Sequence, residues 1–309
     1  MLFLQSEQTG QQTDQSDRRK VKRKTKSKAM KMERKDMTEQ DSQKSHGRAD
    51  VSPGSAPKVR KAVVMAAGKG TRMLPLTESM PKHLIKVAGK PFLEHILESL
   101  EQAGITEVCL IIGYKAEMIQ DFISKSRFRS MVSFAFQEVP KGTGHALMMA
   151  RDFVGESQFI ALGGDNLWSP RDLRRLSVFD PFVYIAAKKV ADPSKFGLLH
   201  VRQQPGDEEV LLLDSIEEKP SSFDASGEHL INTGLYKFTP EVFSRLESLK
   251  PSPRGELELT DAISALARQN LVRVLELKDY WLDLGSLEDI PKVEAFLASL
   301  GSNSGNSGG

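Results

Sequence analysis

Short apolar segments alternate with amphipathic segments between residues 61 and 125. Residues 61–66 and 108–112 are apolar runs of strand length, whereas 91–103 and 116–124 have the apolar spacing of helices. Strands that are apolar on both faces and separated by helices are typical of a parallel sheet covered by helices. The sequence therefore predicts an α/β fold of Rossmann-like type, with a mixed, mainly parallel sheet flanked by helices.

The second half of the chain predicts more strands than helices. Further strands are predicted at 132–137 and 158–162, and four more follow in close succession at 182–188, 198–202, 210–217 and 229–238. Because no helical segment separates the last four, we expect antiparallel strands added to the parallel core. Helices are predicted at 240–249, 257–269 and 287–300.

Charge and composition divide the chain at about residue 60. Residues 1–60 carry 15 Lys and Arg against 8 Asp and Glu, with much Gln and Ser and few aliphatic residues. Such a segment cannot bury enough apolar surface to offset the entropy of ordering, so we expect a disordered basic tail. One domain is expected to span 61–300. Residues 301–309 contain only Gly, Ser and Asn and are expected to form a flexible tail.

The run of Lys and Arg at 18–28 has several interpretations. A nuclear address, an RNA contact or a membrane-surface patch would each use such charges, but a solvated tail without a specific partner is favoured. Residues 5–60 contain no Phe, Tyr or Trp that could stack on bases. We therefore expect no nucleic-acid partner apart from nonspecific, salt-sensitive contact through this run.

The cysteine and apolar content restrict the compartment and the cofactor. A single cysteine, Cys109, excludes a disulfide within the chain and a Cys-based zinc or iron–sulfur site. No apolar run approaches the roughly 20 residues of a membrane helix, and no signal-peptide core follows Met1. We expect a cytoplasmic protein that does not associate with membranes.

A glycine-containing loop follows the first strand, with the sequence AAGKGTRMLPLT at 66–77. Ligands of α/β sheets bind at the carboxyl ends of strands. Gly68 and Gly70 allow backbone N–H groups to turn toward phosphate oxygens, and Arg72 and Lys82 add positive charge. The loop lacks the GK[ST] ending of a P-loop and the third glycine of a dinucleotide-binding motif. It therefore predicts another kind of site for a phosphorylated ligand.

This loop and the segments after it resemble the sugar-1-phosphate nucleotidylyltransferase family, which includes glucose-1-phosphate thymidylyltransferases and uridylyltransferases. The matching segments, in the family's order, are GKGTRMLPLT with PKHLIKVAGKP, then GTGHA, GGDN, EEKP, NTGLY, RGELELTD and WLDLGS. They extend from residue 61 to about residue 290. The resemblance implies the family's reaction, in which a nucleoside triphosphate and a sugar 1-phosphate give a nucleotide sugar and pyrophosphate. It also implies that the antiparallel strands form a sugar-binding extension.

The resemblance implies Mg²⁺ as the cofactor, held by Asp165 and Asp283. Each is a single acid at the end of an apolar, strand-like stretch. Mg²⁺ commonly takes one or two carboxylates and fills its other positions with water and phosphate oxygens. Bound there, it would neutralise phosphate charge that otherwise opposes the approach of two anions.

Three cations are predicted to have catalytic roles. We expect Arg72 to hold the departing β- and γ-phosphates, Lys82 to contact the phosphates near the reacting centre, and Lys219 to neutralise the sugar phosphate. Other motif positions are predicted to bind the nucleotide, namely Ala67, Gly68, Gly70, Thr71, Gln137, Gly142 and Thr143. The residues predicted to bind the sugar are Gly197, Glu218, Asn232 and Thr233.

Gln137 is expected to select the base. Its amide offers a donor and an acceptor to the imide edge of uracil or thymine, which favours UTP or dTTP without ranking them. Phe196 stands where the family commonly has Tyr before a glycine, so a hydroxyl is missing there. His145, at an expected helix start, is more simply explained as a packing or capping residue.

Other interpretations remain open. An enzyme of the same fold can use another base or sugar, such as GTP with mannose 1-phosphate, or CTP. A non-catalytic relative, acting as a regulatory or assembly subunit, would be expected to lose a metal-binding Asp or a cationic Lys, and all of these are present here. We expect a homo-oligomer, and the sequence does not determine which sugar phosphate is used.

Overall fold

The structure is a computed structural model that describes residues 58–304, with side chains as far as Leu300. The predicted basic tail lies outside the described residues except for its last three positions. Of these, Lys58 already forms a β-bridge with Val178. The last helix continues to Ser304, four residues into the predicted flexible tail, because a helix that has formed extends at little cost.

The described residues form thirteen strands and nine α-helices. The strands are β1 (Lys61–Ala66), β2 (Lys86–Val87), β3 (Lys90–Pro91), β4 (Glu107–Ile112), β5 (Val132–Phe136), β6 (Phe159–Gly163), β7 (Asn166–Trp168), β8 (Val183–Val190), β9 (Gly197–Gln204), β10 (Asp207–Glu218), β11 (His229–Phe238), β12 (Val272–Glu276) and β13 (Trp281–Asp283). The helices are α1 (Leu76–Ser79), α2 (Phe92–Ala103), α3 (Ala116–Lys125), α4 (Thr143–Met148), α5 (Arg151–Val154), α6 (Pro170–Leu176), α7 (Glu241–Ser248), α8 (Leu259–Ala267) and α9 (Ile290–Ser304). None of these helices is long and apolar enough to cross a membrane.

Nine strands form one mixed sheet, in the order β5-β4-β1-β6-β11-β8-β12-β10-β9. The strands β5, β4, β1 and β6 are parallel, and β11 is antiparallel to both β6 and β8. At the far edge, β9 and β10 form an antiparallel pair. The prediction of an α/β fold with a parallel core and added antiparallel strands is therefore confirmed.

Helix α2 shows how local sequence determines an element. Pro91 precedes the first turn, where its missing N–H is tolerated, and Gly104 ends the helix with a φ of 92°. The buried face of α2 packs in one hydrophobic cluster with β1 and β4, and consists of Phe92, Leu93, Ile96, Leu97 and Leu100. Burial of each such side chain contributes about 1.5–3 kcal/mol, which holds α2 on the sheet.

The sequence does not predict β12, which lies between β8 and β10. It is parallel to β8 and antiparallel to β10 and so joins these two predicted strands in the sheet. A five-residue strand gives only a short period-2 pattern, and the pattern follows directly after a predicted helix. The last helix also differs from the prediction. It begins at Ile290, because Ser286 and Asp289 form a capping box around a 3-10 turn.

Candidate active site

The loop predicted to bind phosphate lies where β1 ends. Gly70 has a φ of 65°, which disfavours a side chain, and an added Cβ would lie 3.0 Å from Lys82 Cβ. Thr77 Oγ1 donates to the Gly70 carbonyl at 3.0 Å. At Gly68, in contrast, an added Cβ would meet no atom within 4 Å, so the backbone there is open. The loop is therefore fixed at Gly70 and accessible at Gly68.

Lys82 and Asp165 form an ion pair at this end of the sheet. Lys82 Nζ lies 2.6 Å from Asp165 Oδ2, and Lys82 is only 8% exposed. The Gly164 N–H donates to the Met65 carbonyl at 2.9 Å, which joins the segment carrying Asp165 to β1. The structure therefore places a predicted catalytic cation against a predicted metal ligand.

The antiparallel pair of β7 and β13 brings Asp283 to the same place. Asp283 lies opposite Asn166 in this pair. Asn166 Nδ2 donates to Asp165 Oδ1 at 2.9 Å, and Asn166 Oδ1 accepts from Trp281 Nε1 at 2.8 Å. The Leu284 N–H donates to the Asp165 carbonyl at 2.8 Å. Asn166 therefore joins the two predicted metal-binding segments, a role that its sequence position alone does not indicate.

The two aspartates differ in their tendency to ionise. Burial opposes ionisation of Asp165, but the charge and hydrogen bond of Lys82 hold the Asp165 pKa below its ordinary value. Burial and the charge of Asp165 raise the pKa of Asp283 to about 6, and Lys82 and Arg72 offset this rise only in part. The ionised form of Asp283 is therefore disfavoured more by burial and by the charge of Asp165 than it is stabilised by Lys82 and Arg72.

Arg72 and the Asp283 carboxylate both lie beside Gly285. A Cβ added at Gly285 would lie 3.1 Å from Asp283 Oδ2 and 3.5 Å from Arg72 Nη1. The missing side chain therefore leaves room for the carboxylate and the guanidinium next to one another. Gly285 is not among the predicted site residues, although it lies within the matched WLDLGS segment.

The donor atoms fit a hard divalent cation. Among residues 58–304, no group of three or more His, Cys, Asp or Glu is arranged to hold a metal ion by itself. Asp165 and Asp283 offer carboxylate oxygens, which Mg²⁺ takes in ones or twos together with phosphate oxygens. The raised pKa of Asp283 indicates that added positive charge beside the two carboxylates would be favourable.

Gln137 directly follows β5 and lies beside the loop at β1. Its N–H donates to the Ile112 carbonyl at 2.9 Å, and the residue is 7% exposed. A Cβ added at Gly113 would lie 2.7 Å from the Gln137 carbonyl oxygen and 3.1 Å from the Ala67 carbonyl oxygen. Gly113 therefore allows the predicted base-binding and phosphate-binding segments to meet. The sequence signal for it is a glycine directly after a predicted strand.

The GTGHA turn packs against the RGELELTD segment. Gly142 has a φ of 94°, and an added Cβ would lie 2.5 Å from the Leu257 carbonyl oxygen. The Gly144 N–H donates to that carbonyl at 2.8 Å, and the Leu259 N–H donates to Thr143 Oγ1 at 3.1 Å. The Thr143 hydroxyl therefore acts as an acceptor at the start of α8, and its hydrogen remains able to donate to a ligand. Thr71 is exposed on the first loop.

Three of the four predicted sugar-binding residues meet on the antiparallel strands. A Cβ added at Gly197 on β9 would lie 3.3 Å from Glu218 Oε1 on β10 and 3.5 Å from Asn232 Cβ on β11. Asn232 Nδ2 donates to the Tyr236 hydroxyl at 2.8 Å, and Asn232 Oδ1 accepts from the Gly234 N–H at 2.9 Å. These bonds fix the Asn232 side chain beside Gly197.

Thr233, the fourth predicted sugar-binding residue, faces the core. It is 3% exposed, and its hydroxyl donates to the Ala186 carbonyl at 2.9 Å. Successive side chains of a strand point to opposite faces, so Thr233 cannot share the face of Asn232. Lys219 is exposed directly after β10, where a φ of 49° turns the chain away from the strand.

Two acids of the RGELELTD segment, Glu258 and Asp261, act electrostatically on the predicted sugar-binding residue Glu218. The sequence alone gives no signal for this role. Burial and the charge of Glu258 raise the pKa of Glu218, Asp261 adds to the rise, and Lys219 and Arg254 oppose it. This side of the site is therefore rich in acceptor oxygens, which suit the hydroxyl groups of a sugar.

Phe196 connects the sugar side to the segment carrying Asp283. Its ring contacts the Trp281 ring edge-on, with 5.8 Å between centroids and 66° between planes. Trp281 lies two residues before Asp283 on β13. The missing hydroxyl at Phe196 therefore does not remove the aromatic contact that joins the two regions.

Three curated relatives show what the chain is similar to. Bifunctional protein GlmU of Methanococcus maripaludis is 36% identical over 232 residues, covering 74% of this chain and 52% of the relative. The low-salt glycan biosynthesis nucleotidyltransferase Agl11 of Haloferax volcanii is 36% identical over 238 residues, covering 74% and 64%. The glucose-1-phosphate thymidylyltransferase of Streptomyces griseus is 34% identical over 238 residues, covering 75% and 64%. The chain thus spans about half to two thirds of the length of these relatives.

Solved structures and a family model agree with these relatives. A UDP-glucose pyrophosphorylase complexed with UDP-glucose has a TM-score of 0.68 and 25% identity, covering 78% of this chain and 99% of that chain. The UTP-bound UGPase from Acinetobacter baumannii has a TM-score of 0.65 and 26% identity, covering 77% and 93%. Both share the mixed α/β fold. The family model described as nucleotidyl transferase matches residues 61–299, and the chain therefore belongs to the nucleotidyl transferase family.

Proposed function

We propose that the protein is a sugar-1-phosphate nucleotidylyltransferase that joins UTP or dTTP to a glucose-1-phosphate-like sugar phosphate. The observation that carries this proposal is the cluster at the carboxyl ends of β1 and β6, formed by Arg72, Lys82, Asp165 and Asp283. Both substrates are anions, and their repulsion opposes the reaction. The cluster supplies cations and cation-binding oxygens next to an open glycine loop, as this chemistry requires.

In the proposed reaction, a phosphate oxygen of the sugar 1-phosphate bonds to the α-phosphorus of the triphosphate. The bond from that phosphorus to the oxygen bridging the α- and β-phosphates breaks, and its electron pair leaves with pyrophosphate. No covalent enzyme intermediate is needed, so alignment and charge neutralisation supply the catalysis. Arg72 would hold the departing pyrophosphate, and Lys82 would contact the phosphate at the reacting centre.

Asp165 and Asp283 are the proposed Mg²⁺ ligands. When bound, the ion would neutralise phosphate charge and lower the electrostatic barrier between the two anions. The raised pKa of Asp283 beside Asp165 supports this assignment, because a bound cation would stabilise both carboxylates in their ionised form. Lys219, on the sugar side, would neutralise the sugar phosphate.

Base and sugar recognition are assigned to separate groups. Gln137, together with the backbone at Gly142, is proposed to bind uracil or thymine. The sugar hydroxyls are assigned to Gly197, Glu218 and Asn232, which the structure brings together. The names of the similar proteins include both UDP-glucose and thymidylyl enzymes, so they support a pyrimidine nucleotide without ranking the two.

A non-catalytic subunit of the same fold has less support. Such a protein has no evident need for a buried Lys82–Asp165 pair beside a second carboxylate, because removing these charges from water is costly. A role in nucleotide-sugar biosynthesis, a cytoplasmic location, a homo-oligomeric state and the lack of a specific nucleic-acid partner belong to the proposal as predictions from the sequence.

Pyrophosphate release tests the proposal, measured for each common nucleoside triphosphate with each of several hexose 1-phosphates in Mg²⁺ or Mn²⁺. We expect release with UTP or dTTP, its loss in excess chelator, and turnover lowered at least ~10²-fold by Asp165→Asn or Asp283→Asn. Asp152→Asn is the matched control, because Asp152 is exposed on α5. Release with no substrate pair, or full activity in chelator, contradicts the proposal.

A further inference from the structure

Both hydrogens of the Gln137 side-chain amide are used inside the protein. Gln137 Nε2 lies 3.1 Å from the Gly142 carbonyl oxygen and 3.0 Å from His145 Nδ1. A carbonyl oxygen only accepts hydrogen bonds, so the amide atom facing Gly142 must be the nitrogen. The opposite orientation would place two acceptors in contact. The amide orientation is therefore determined by chemistry, and Oε1 is the atom left for a ligand.

The second bond requires a particular form of His145. To accept from Gln137 Nε2, its Nδ1 must carry no hydrogen, so the neutral ring carries its hydrogen on Nε2. Burial, with a contribution from the Lys141 charge, lowers the pKa of His145 and favours the neutral ring. The acids on the segment packed against this turn, Glu256 and Glu258, lie 3.9 Å and 2.7 Å from Arg254, so their charges are paired.

The residues that hold the Gln137 amide are themselves held in place by backbone contacts. Gly142, at a φ of 94°, is confined against the Leu257 carbonyl, which also accepts from the Gly144 N–H at 2.8 Å. His145 follows on the first turn of α4. At the other end, the Gln137 backbone is bound to Ile112 on β4. Backbone bonds therefore hold both partners of the amide, and the side chain has little freedom to rotate.

We propose that His145 is a positioning residue that holds the Gln137 amide with its carbonyl toward the base and so selects bases that present an N3–H. The proposal rests on the proposed function and extends it. Uracil and thymine can donate their N3–H to Gln137 Oε1, whereas N3 of cytosine is an acceptor and would face Oε1 with a lone pair. Rotation of the amide to suit cytosine would break the bonds to both Gly142 and His145.

Two substitutions at the same position separate this role from packing. His145→Leu removes the acceptor, while His145→Asn can return one through its side-chain oxygen. Since one neutral hydrogen bond gives roughly a three- to tenfold preference, His145→Leu should lower the UTP-to-CTP ratio of kcat/KM by that factor. We expect the change in the nucleotide KM and not in the sugar-phosphate KM, with the ratio kept by His145→Asn. Met148→Leu, on the same helix, is the control.

A ratio unchanged in His145→Leu, or lost equally in His145→Asn, would overturn the proposal. NMR of the substrate-free protein gives an independent result, because ring chemical shifts report which nitrogen carries the hydrogen. A hydrogen on His145 Nε2 at pH 7.5 is expected, and a hydrogen on Nδ1 would overturn the proposal even where a variant fails to fold. A wild-type protein that releases no pyrophosphate with any nucleotide would instead refute the proposed function and leave the NMR result to decide the geometry.

Discussion

Replacement of Asp283 by Asn is expected to stabilise the metal-free protein at pH 8. In the folded protein the pKa of Asp283 is raised to about 6 from an ordinary 3.8, first by burial and then by the charge of Asp165. Well below pH 4 the carboxyl is protonated in the folded and unfolded chains alike and has no effect. As the pH rises from about 4 to about 6, the unfolded chain loses this proton first, so the folded state loses stability. Asn keeps the shape of the side chain and removes the charge.

The size of the effect follows from the difference in pKa. A difference of about two units corresponds to about 3 kcal/mol. Because Asp283 is only partly buried, screening by solvent reduces this to about 1–2 kcal/mol. For a domain of this size, 1 kcal/mol shifts the Tm by about 2–4 °C, so Asp283→Asn should raise it by about 2–8 °C.

Calorimetric scans in excess chelator at pH 8 and pH 4.5 measure this effect. The gain in unfolding free energy at pH 8 should fall to about a third at pH 4.5, where the folded carboxyl is still protonated and the pH lies only slightly above the pKa of the unfolded one. Mg²⁺ should raise the Tm of the wild type more than that of the variant, which has lost a ligand. Asp152→Asn should leave the Tm nearly unchanged at both pH values. A variant less stable than the wild type at pH 8, or equally stabilised at both pH values, would refute this prediction.

Three further predictions concern how the site is held. Gly285→Ala should lower turnover about tenfold, because the new Cβ would lie 3.1 Å from the Asp283 carboxylate and displace it. The free energy of urea unfolding should change by less than about 1 kcal/mol, because the new contact is with the end of a side chain and not with backbone. Asp172→Ala should lower the free energy of urea unfolding by about 2–4 kcal/mol, since this buried carboxylate accepts from the N–H groups of Lys278 and Asp279 before β13. An unchanged unfolding curve would contradict this prediction. A protein beginning at Ala56 should keep the full-length kcat and KM, because the family match begins at residue 61, and loss of activity in a folded protein would show that the tail contributes.

Elements bounded by clear local signals are predictable from the sequence, and elements that depend on distant partners are not. The bounds of β1 and β11 agree with the prediction, and α2 begins within one residue of it. The pair of β7 and β13 consists of three-residue strands joined by contacts such as Asn166 to Trp281, which are 115 residues apart. No local periodicity can indicate such a pair, because it forms only when the larger sheet has brought its members together.

The candidate site shows the same division between motif and geometry. The motifs indicate the charged residues that the structure places together, including Lys82, Asp165 and Asp283. They do not indicate which way a side chain points. Thr233 stands next to Asn232 in NTGLY but faces the core. His145 has no evident ligand contact from its sequence position, and only its 3.0 Å distance to Gln137 shows which side chain it acts on.

The Lys82–Asp165 ion pair connects the stability of the site with its proposed activity. At 2.6 Å, Lys82 pairs with Asp165, whereas burial and the charge of Asp165 disfavour the ionised form of Asp283 despite the neighbouring cations, so an ionised Asp283 is unfavourable in the substrate-free site. An entering triphosphate would compete with Asp165 for the ammonium, and the carboxylate released in this way would increase the attraction for a divalent cation. Binding of the anionic substrate and binding of the cation would then favour each other. The charge arrangement that destabilises the empty protein is therefore the one that favours the bound state, which is why stability and activity are expected to respond in opposite directions at Asp283.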